Sequence, residues 1–413
     1  MIIEKDEAIN KVIMFALVGI VFCLLLAVFV PWVRADIGPA WTNPAGAGID
    51  PGDRLSTQVQ MESEKVTIKI EPFERPVPNK YDDNPGYHMR GKVTAEFFLI
   101  NHGSKEEAYD VWFPLAASVS NPVYLQEINE EIQDFKVWVN NKPVKKLTRV
   151  QAPALGLPDQ QSAWAKWPMS FKPGEKVTVR VTYTIYPGGR RPFADIEYIL
   201  ETGAGWKGKI GRAVIQILLP YEINPQNVTY GDPIYKGGDF FNKIKPTGYK
   251  VEGNALTWSF SELEPTAKHN VYVNAMEPSR WSALVKAREK VAKNPKDPQA
   301  QLKLAQEASQ SVMILKSVIK YQGTQGIAAE ATQAFRKALE LAPQNVQIYT
   351  EFASWLIRYD GYDQIRSGKC PPELVEVVEK GLEKFPQDKE LLQIVEVIEN
   401  IASFFEVKLD CFD

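Results

Sequence analysis

Val177-Thr178-Val179-Arg180-Val181-Thr182-Tyr183-Thr184-Ile185-Tyr186 alternates apolar and polar side chains for ten residues, and Lys172-Pro173-Gly174-Glu175 turns the chain just before it. Successive side chains of a strand point to opposite faces, so a two-residue period marks a strand with one face in a core. Val93-Thr94-Ala95-Glu96-Phe97-Phe98-Leu99 repeats the pattern and ends at the turn Asn101-His102-Gly103. Further candidates are 66–70, 109–114, 135–139, 196–200, 213–219, 256–260 and 271–273. Of 29 prolines, 23 fall in the first 278 residues, as do 21 of 26 glycines, which does not suit helices. Residues 55–277 are therefore expected to form an antiparallel β-sandwich, either one large unit or two fused smaller ones.

After Pro278 the period becomes helical, with Ser279 as the expected N-cap of a helix over 280–293. Asn294-Pro295-Lys296-Asp297, Ala342-Pro343-Gln344-Asn345 and Phe385-Pro386-Gln387-Asp388 each close one amphipathic helix and open the next. Six helices are expected over 279–413. Ala331, Phe335, Ala338 and Pro343 then fall at the offsets of the second helix of a tetratricopeptide repeat, which this tail resembles. Leu374, Val378, Gly381 and Pro386 keep the offsets with weaker chemistry, and Lys290 replaces the small residue in Ala283, Ala287, Lys290 and Pro295. The three phrases are spaced more widely than the family repeat, so insertions are expected near 321–326 and 360–372. The resemblance implies a degenerate array whose first helices line a concave groove. On those offsets Gln347, Thr350, Ser354 and Arg358 are the candidate partner-groove residues.

Tyr198-Ile199-Leu200-Glu201-Thr202-Gly203-Ala204-Gly205-Trp206-Lys207-Gly208-Lys209-Ile210 resembles the hallmark of an uncharacterised family of bacterial exported β-domains, and Glu262-Leu263-Glu264-Pro265-Thr266 is similar to its closing segment. The likeness implies an exported β-domain and no activity.

Val12 to Val30 is an unbroken apolar run of 19 residues. As a helix it would reach roughly 28 Å, the thickness of a bilayer's hydrocarbon core. Residues 1–35 thus read as a cleaved signal, cut between Ala35 and Asp36, or as a retained single-pass anchor with its N-terminus inside. Both put everything after Trp32 outside the cytoplasm, and residues 36–54, rich in Gly, Pro and Asn, read as a linker. With Cys23 in the apolar run, Cys370 and Cys411 are left as the candidate disulfide.

The chain has 413 residues, 45% of them hydrophobic, and 45 aromatics, which excludes bulk disorder. Its net charge of -3 offers no basic field for nucleic acid. Gly203-Ala204-Gly205-Trp206-Lys207-Gly208 matches a dinucleotide fingerprint in form, but an alternating strand follows where the helix should begin. A glycine-rich hairpin with Trp206 over bare backbone is expected instead, and no nucleotide. His88, His102 and His269 lack metal-ligand spacing, Asp82-Asp83-Asn84-Pro85-Gly86 lacks a calcium loop's terminal Glu, and no cofactor is expected. No nucleophile motif has usable context. Trp112, Trp138, Trp164, Trp167 and Trp258 lie in strand patterns, and the three-residue spacing of Trp164 and Trp167 leaves one able to face solvent.

The tail is bipolar: 279–345 carries 11 Lys/Arg against 5 Asp/Glu, and 346–413 carries 7 against 14. The chain is expected to be a binding or scaffold protein of the bacterial envelope, not an enzyme, with a protein or peptide held by the helical domain. The alternatives are a surface carbohydrate-binding protein acting on cell-wall glycan through sandwich aromatics, and a hydrolase whose carboxylates meet only in the fold.

Overall fold

The computed structural model describes residues 38–39, 57–75, 87–115, 132–154, 157–187, 191–229, 246–312, 314–315, 319–320, 322–409 and 411–412. The apolar run 12–30, the Ala35–Asp36 bond and the Asp82–Gly86 turn lie outside them. Among the described residues no helix is long and apolar enough to cross a membrane.

A β-sheet region comes first and helices follow. In chain order the strands are β1 (Gly38–Pro39), β2 (Val59–Arg75), β3 (Tyr87–Asn101), β4 (Glu107–Pro114), β5 (Gln133–Val139), β6 (Lys142–Pro143), β7 (Thr148–Ala154) and β8 (Leu157–Phe171). Then come β9 (Lys176–Ile185), β10 (Phe193–Tyr198), β11 (Ile210–Leu218), β12 (Lys250–Glu252), β13 (Ala255–Leu263) and β14 (Val271–Met276). One sheet runs β12-β13-β11-β2-β3-β9-β5-β6, a second β1-β4-β8-β7, and β10 pairs with β14. On β9 Val177, Val179, Val181 and Tyr183 are buried, while Thr178, Arg180 and Thr182 are less so, as the alternation requires.

A single contiguous core joins the sheets, from Val59 and Phe97 to Phe113, Trp167 and Trp258. Purely antiparallel pairing does not hold: β11 lies parallel to β2, with Ile215 opposite Val66 and Ile217 opposite Ile68. Between these strands the chain alternates between the two larger sheets before β11 returns to the first on the side of β2 away from β3. Within the stretch expected as a linker, Gly38 and Pro39 pair with Trp112 and Val111 of β4.

The glycine-rich stretch is a 3-10 turn over Glu201–Gly205 rather than a hairpin. Trp206 lies buried among Tyr109 and Phe171, with ring centroids 6.3 and 6.0 Å away, because an indole gains more by filling the core than by covering backbone. Gly208 follows with φ +61°, and at Gly211 a Cβ would stand 2.6 Å from the Glu62 carbonyl oxygen on the parallel neighbour β2.

The helices are α1 (Pro278–Lys293), α2 (Pro298–Gln310), α3 (Gln325–Leu341), α4 (Val346–Leu356), α5 (Tyr362–Arg366), α6 (Pro372–Lys384) and α7 (Lys389–Phe404). The helix expected to be capped by Ser279 starts two residues earlier: Pro278 is helical, pre-set at φ near -65°, and Glu277 stands at the N-cap without a side-chain cap bond. Asp297, Asn345 and Asp388 do cap α2, α4 and α7, each accepting a backbone N–H. Leu284, Ala287, Ala305, Phe335, Phe352, Leu374 and Ile398 form the helical core. Phe335 and Phe352 stack at 5.2 Å between α3 and α4. The small hairpin β15 (Ile314–Leu315) with β16 (Ile319–Lys320) lies just before the first expected insertion, whose described residues form a 3-10 turn over Gln322–Thr324 and the start of α3, while a π-helical turn over Ile357–Gly361 leads into α5 within the second.

The two regions share packing. Phe193 of β10 and Met276 of β14 belong to the helical core, Tyr221 donates to the Met276 carbonyl, and Arg288 of α1 reaches Gln226 at 3.2 Å.

Candidate functional site

Helices α2 and α4 each bury one stripe and leave the other polar. On α4 Ile348, Tyr349, Phe352 and Trp355 are buried, while Gln347 and Ser354 are exposed. Gln306 of α2 donates to Glu351 of α4 at 2.8 and 3.0 Å, and Gln347 donates to the same carboxylate at 2.7 Å. Thr350 does not reach this face. It is 5% exposed and its hydroxyl donates to the Gln347 carbonyl, because its position turns it toward the core.

Arg358 sits one turn on, in the π-helical segment, where the wider turn departs from the α4 stripe. Its Nη2 donates to the Ser309 carbonyl at 2.8 Å, and its guanidinium lies 5.4 Å from the centroid of the Trp355 ring. Trp355 is held in turn by stacking on Tyr359 at 4.8 Å and by donating Nε1–H to Thr332. Burial holds the Arg358 pKa below the ordinary guanidinium value.

This places Arg358 at a cleft of about 270 Å³ on the seam between sheets and helices, lined also by Arg191, Pro192, Arg280, Gln310 and Val312. Arg191, just ahead of β10, grips the buried Glu277 carboxylate through Nε at 3.0 and 3.1 Å. Arg280, in the first turn of α1, donates to Glu307 of α2 at 2.7 Å, and Lys303 reaches the other oxygen of Glu307 at 2.6 Å. Of the groove candidates, Gln347 and Ser354 stay on the open face and Arg358 joins this cleft. Arg191, Arg280 and Gln310 were not singled out from sequence. Arg280 opens the basic stretch 279–345, which was the available signal; Arg191 sits in a Gly-Gly-Arg-Arg-Pro turn that announces nothing.

Cys370 and Cys411 are joined in a disulfide with Cα atoms 5.5 Å apart, tying the turn before α6 to the tail after α7. Trp164 and Trp167 are both buried, so neither is left for solvent: Trp167 fills the core, and Trp112 packs on Trp164 at 6.3 Å. Trp258 is buried too, and Arg180 covers Trp138 at 4.6 Å. These rings form no open stacking platform. His269 accepts from the Thr266 backbone N–H, and His102 is exposed in its turn. Among the described residues no group of three or more His, Cys, Asp or Glu is placed to hold a metal.

No family model and no curated protein matches the chain, and the exported-β-domain hallmark gains no support from them. Among solved structures, a Legionella pneumophila protein whose suggested role is nutrient binding is 15% identical over 89% of this chain and 97% of its own, with TM-score 0.45. The first TPR domain of Spaghetti (RPAP3), bound to an HSP90 peptide, is 13% identical over 30% of this chain and 81% of its own, with TM-score 0.23. An M1 zinc metallopeptidase from Deinococcus radiodurans is 8% identical over 88% of this chain and 96% of its own, with TM-score 0.26. The expectation that the chain is not an enzyme is corrected by these peptidase matches and is withdrawn. At such scores none of the likenesses carries a function across.

Proposed function

We propose that this chain is an envelope binding protein of tetratricopeptide-like architecture that holds a protein or peptide partner on the α2–α4 face. The observation that supports it most is the polar strip Gln306, Glu351, Gln347 and Ser354, laid across two neighbouring helices that are otherwise well packed. Helical arrays of this kind build extended surfaces that read a partner along their length. The opposite charge bias of 279–345 and 346–413 would orient that partner. The apolar run Val12–Val30 gives the address: a membrane-held or secreted protein with its sheets and helices outside the cytoplasm.

A photo-crosslinking side chain at Ser354 in the full chain, compared with one at exposed Ser259 on β13, tests the partner. An adduct from Ser354 that Glu351→Lys abolishes is expected, and adducts from the sheet alone would reverse the assignment. N-terminal sequencing of the native protein reports whether Ala35–Asp36 is cut. Labelling of intact cells from outside tests the address, which fails if the region past Trp32 stays unlabelled.

A further inference from the structure

Three guanidinium groups face one cleft, and they come from three distant places in the chain: Arg191, Arg280 and Arg358. Like charges gathered in this way repel, and the repulsion grows as water is excluded. Glu277 answers Arg191, and Glu307 answers Arg280 while also serving Lys303. Among the described residues no carboxylate answers Arg358, whose guanidinium is fixed by one carbonyl and one indole face. The cleft therefore carries more positive than negative charge, and its uncompensated cation is solvent-accessible while anchored at the Ser309 carbonyl and the Trp355 ring.

A guanidinium presents five N–H donors in a planar fork that suits carboxylate and phosphate oxygens. Arg358 spends one nitrogen on Ser309, which leaves the rest of its fork for a ligand. Gln310 adds a neutral amide, and Pro192 and Val312 supply apolar wall. A volume of about 270 Å³ lies at the small end of ligand sites, enough for an anionic head on a few carbons and too little for a peptide segment. A neutral sugar would leave the excess charge unanswered, and a cation would add to it.

We propose that the seam cleft binds a small oxyanion, the carboxylate or phosphate group of a small solute, with Arg358 as the principal ligand-binding residue. The site goes beyond the partner-binding reading, because it needs nothing seated on the α2–α4 face.

The test is calorimetric and thermal-shift titration of the full chain with inorganic phosphate and with succinate, against glycerol as a neutral probe in constant chloride. Saturable binding of either anion is expected, and the stronger arm tells phosphate from carboxylate. Arg358→Gln should weaken binding about tenfold or more, and Arg358→Lys should restore part of it as a point charge without a fork. Gln310→Ala, on the exposed end of α2, keeps the test decisive if Arg358→Gln fails to fold, and should weaken binding roughly threefold. Anion binding no tighter than glycerol below about 10 mM, or binding indifferent to both the Arg358 and Gln310 changes, would overturn the proposal. The Ser354 crosslink read in the same sample without anion shows which of the two readings has failed.

Discussion

Arg191 holds both carboxylate oxygens of Glu277 through a single Nε–H, at 3.0 and 3.1 Å, at the point where β14 passes into α1. Glu277 is buried, and its backbone N–H donates to the Pro192 carbonyl at 2.9 Å, so two contacts fasten the approach to β10 against the start of α1. The walls of the cleft are set by this fastening.

Glu277→Gln should therefore destabilise the chain by about 1–3 kcal/mol, since it leaves the partly exposed Arg191 without its counter-charge. Urea unfolding followed by helical circular dichroism measures it; an unchanged midpoint would mean that the two regions hold together without this pair.

Asp195 supplies a pH dependence. Its Oδ1 accepts from Tyr272 and from Asn274, yet burial dominates and pushes its pKa from 3.8 up to about 7. The native state then binds more protons than the unfolded chain between roughly pH 4 and 7, so stability falls as pH rises through that window and levels off above it. Asp195→Asn should flatten the slope and raise stability at pH 8, by up to roughly 4 kcal/mol. Unfolding midpoints from pH 4 to 8 for both chains decide the matter.

At Gly211 an added Cβ would meet the Glu62 carbonyl oxygen at 2.6 Å, and backbone cannot swing aside as a side-chain end can. Gly211→Ala should cost about 1–3 kcal/mol. Gly253→Ala, at φ +58° with nothing within 4 Å of the new Cβ, is a control that separates backbone strain from crowding, and should cost less.

Cys411→Ser opens a loop with a sequence separation of 41 and should lower stability by about 4 kcal/mol in the chain-entropy picture. A smaller loss on reduction, with both thiols alkylated in the folded protein, would show that the α7 tail is pinned by packing, with Val407 and Leu409 against the helical core.

Sequence carries the local elements well. Val177–Ile185 is legible because one face of β9 is buried, and Ala331, Phe335 and Ala338 because α3 must lie close to its neighbours. Pairing is another matter. Nothing in Val66 or Ile215 says that they will be parallel neighbours, since hydrophobic period fixes a face and not a partner. The cleft is hidden for a related reason: Arg191, Arg280, Gln310 and Arg358 share no periodicity and meet only when the helices dock. Thr350 shows the opposite failure, where an offset rule borrowed from a regular repeat points outward and the actual helix turns the hydroxyl in.

The place of β2 between β3 and β11 has a consequence for the growing polypeptide. One side of β2 finds its partner within a few dozen residues, while the other waits until Ile210–Leu218 has been made. Until then a strand of 17 residues carries a raw, hydrogen-bond-hungry margin open to any extended stranger, and every fragment that stops short of Ile210 keeps it.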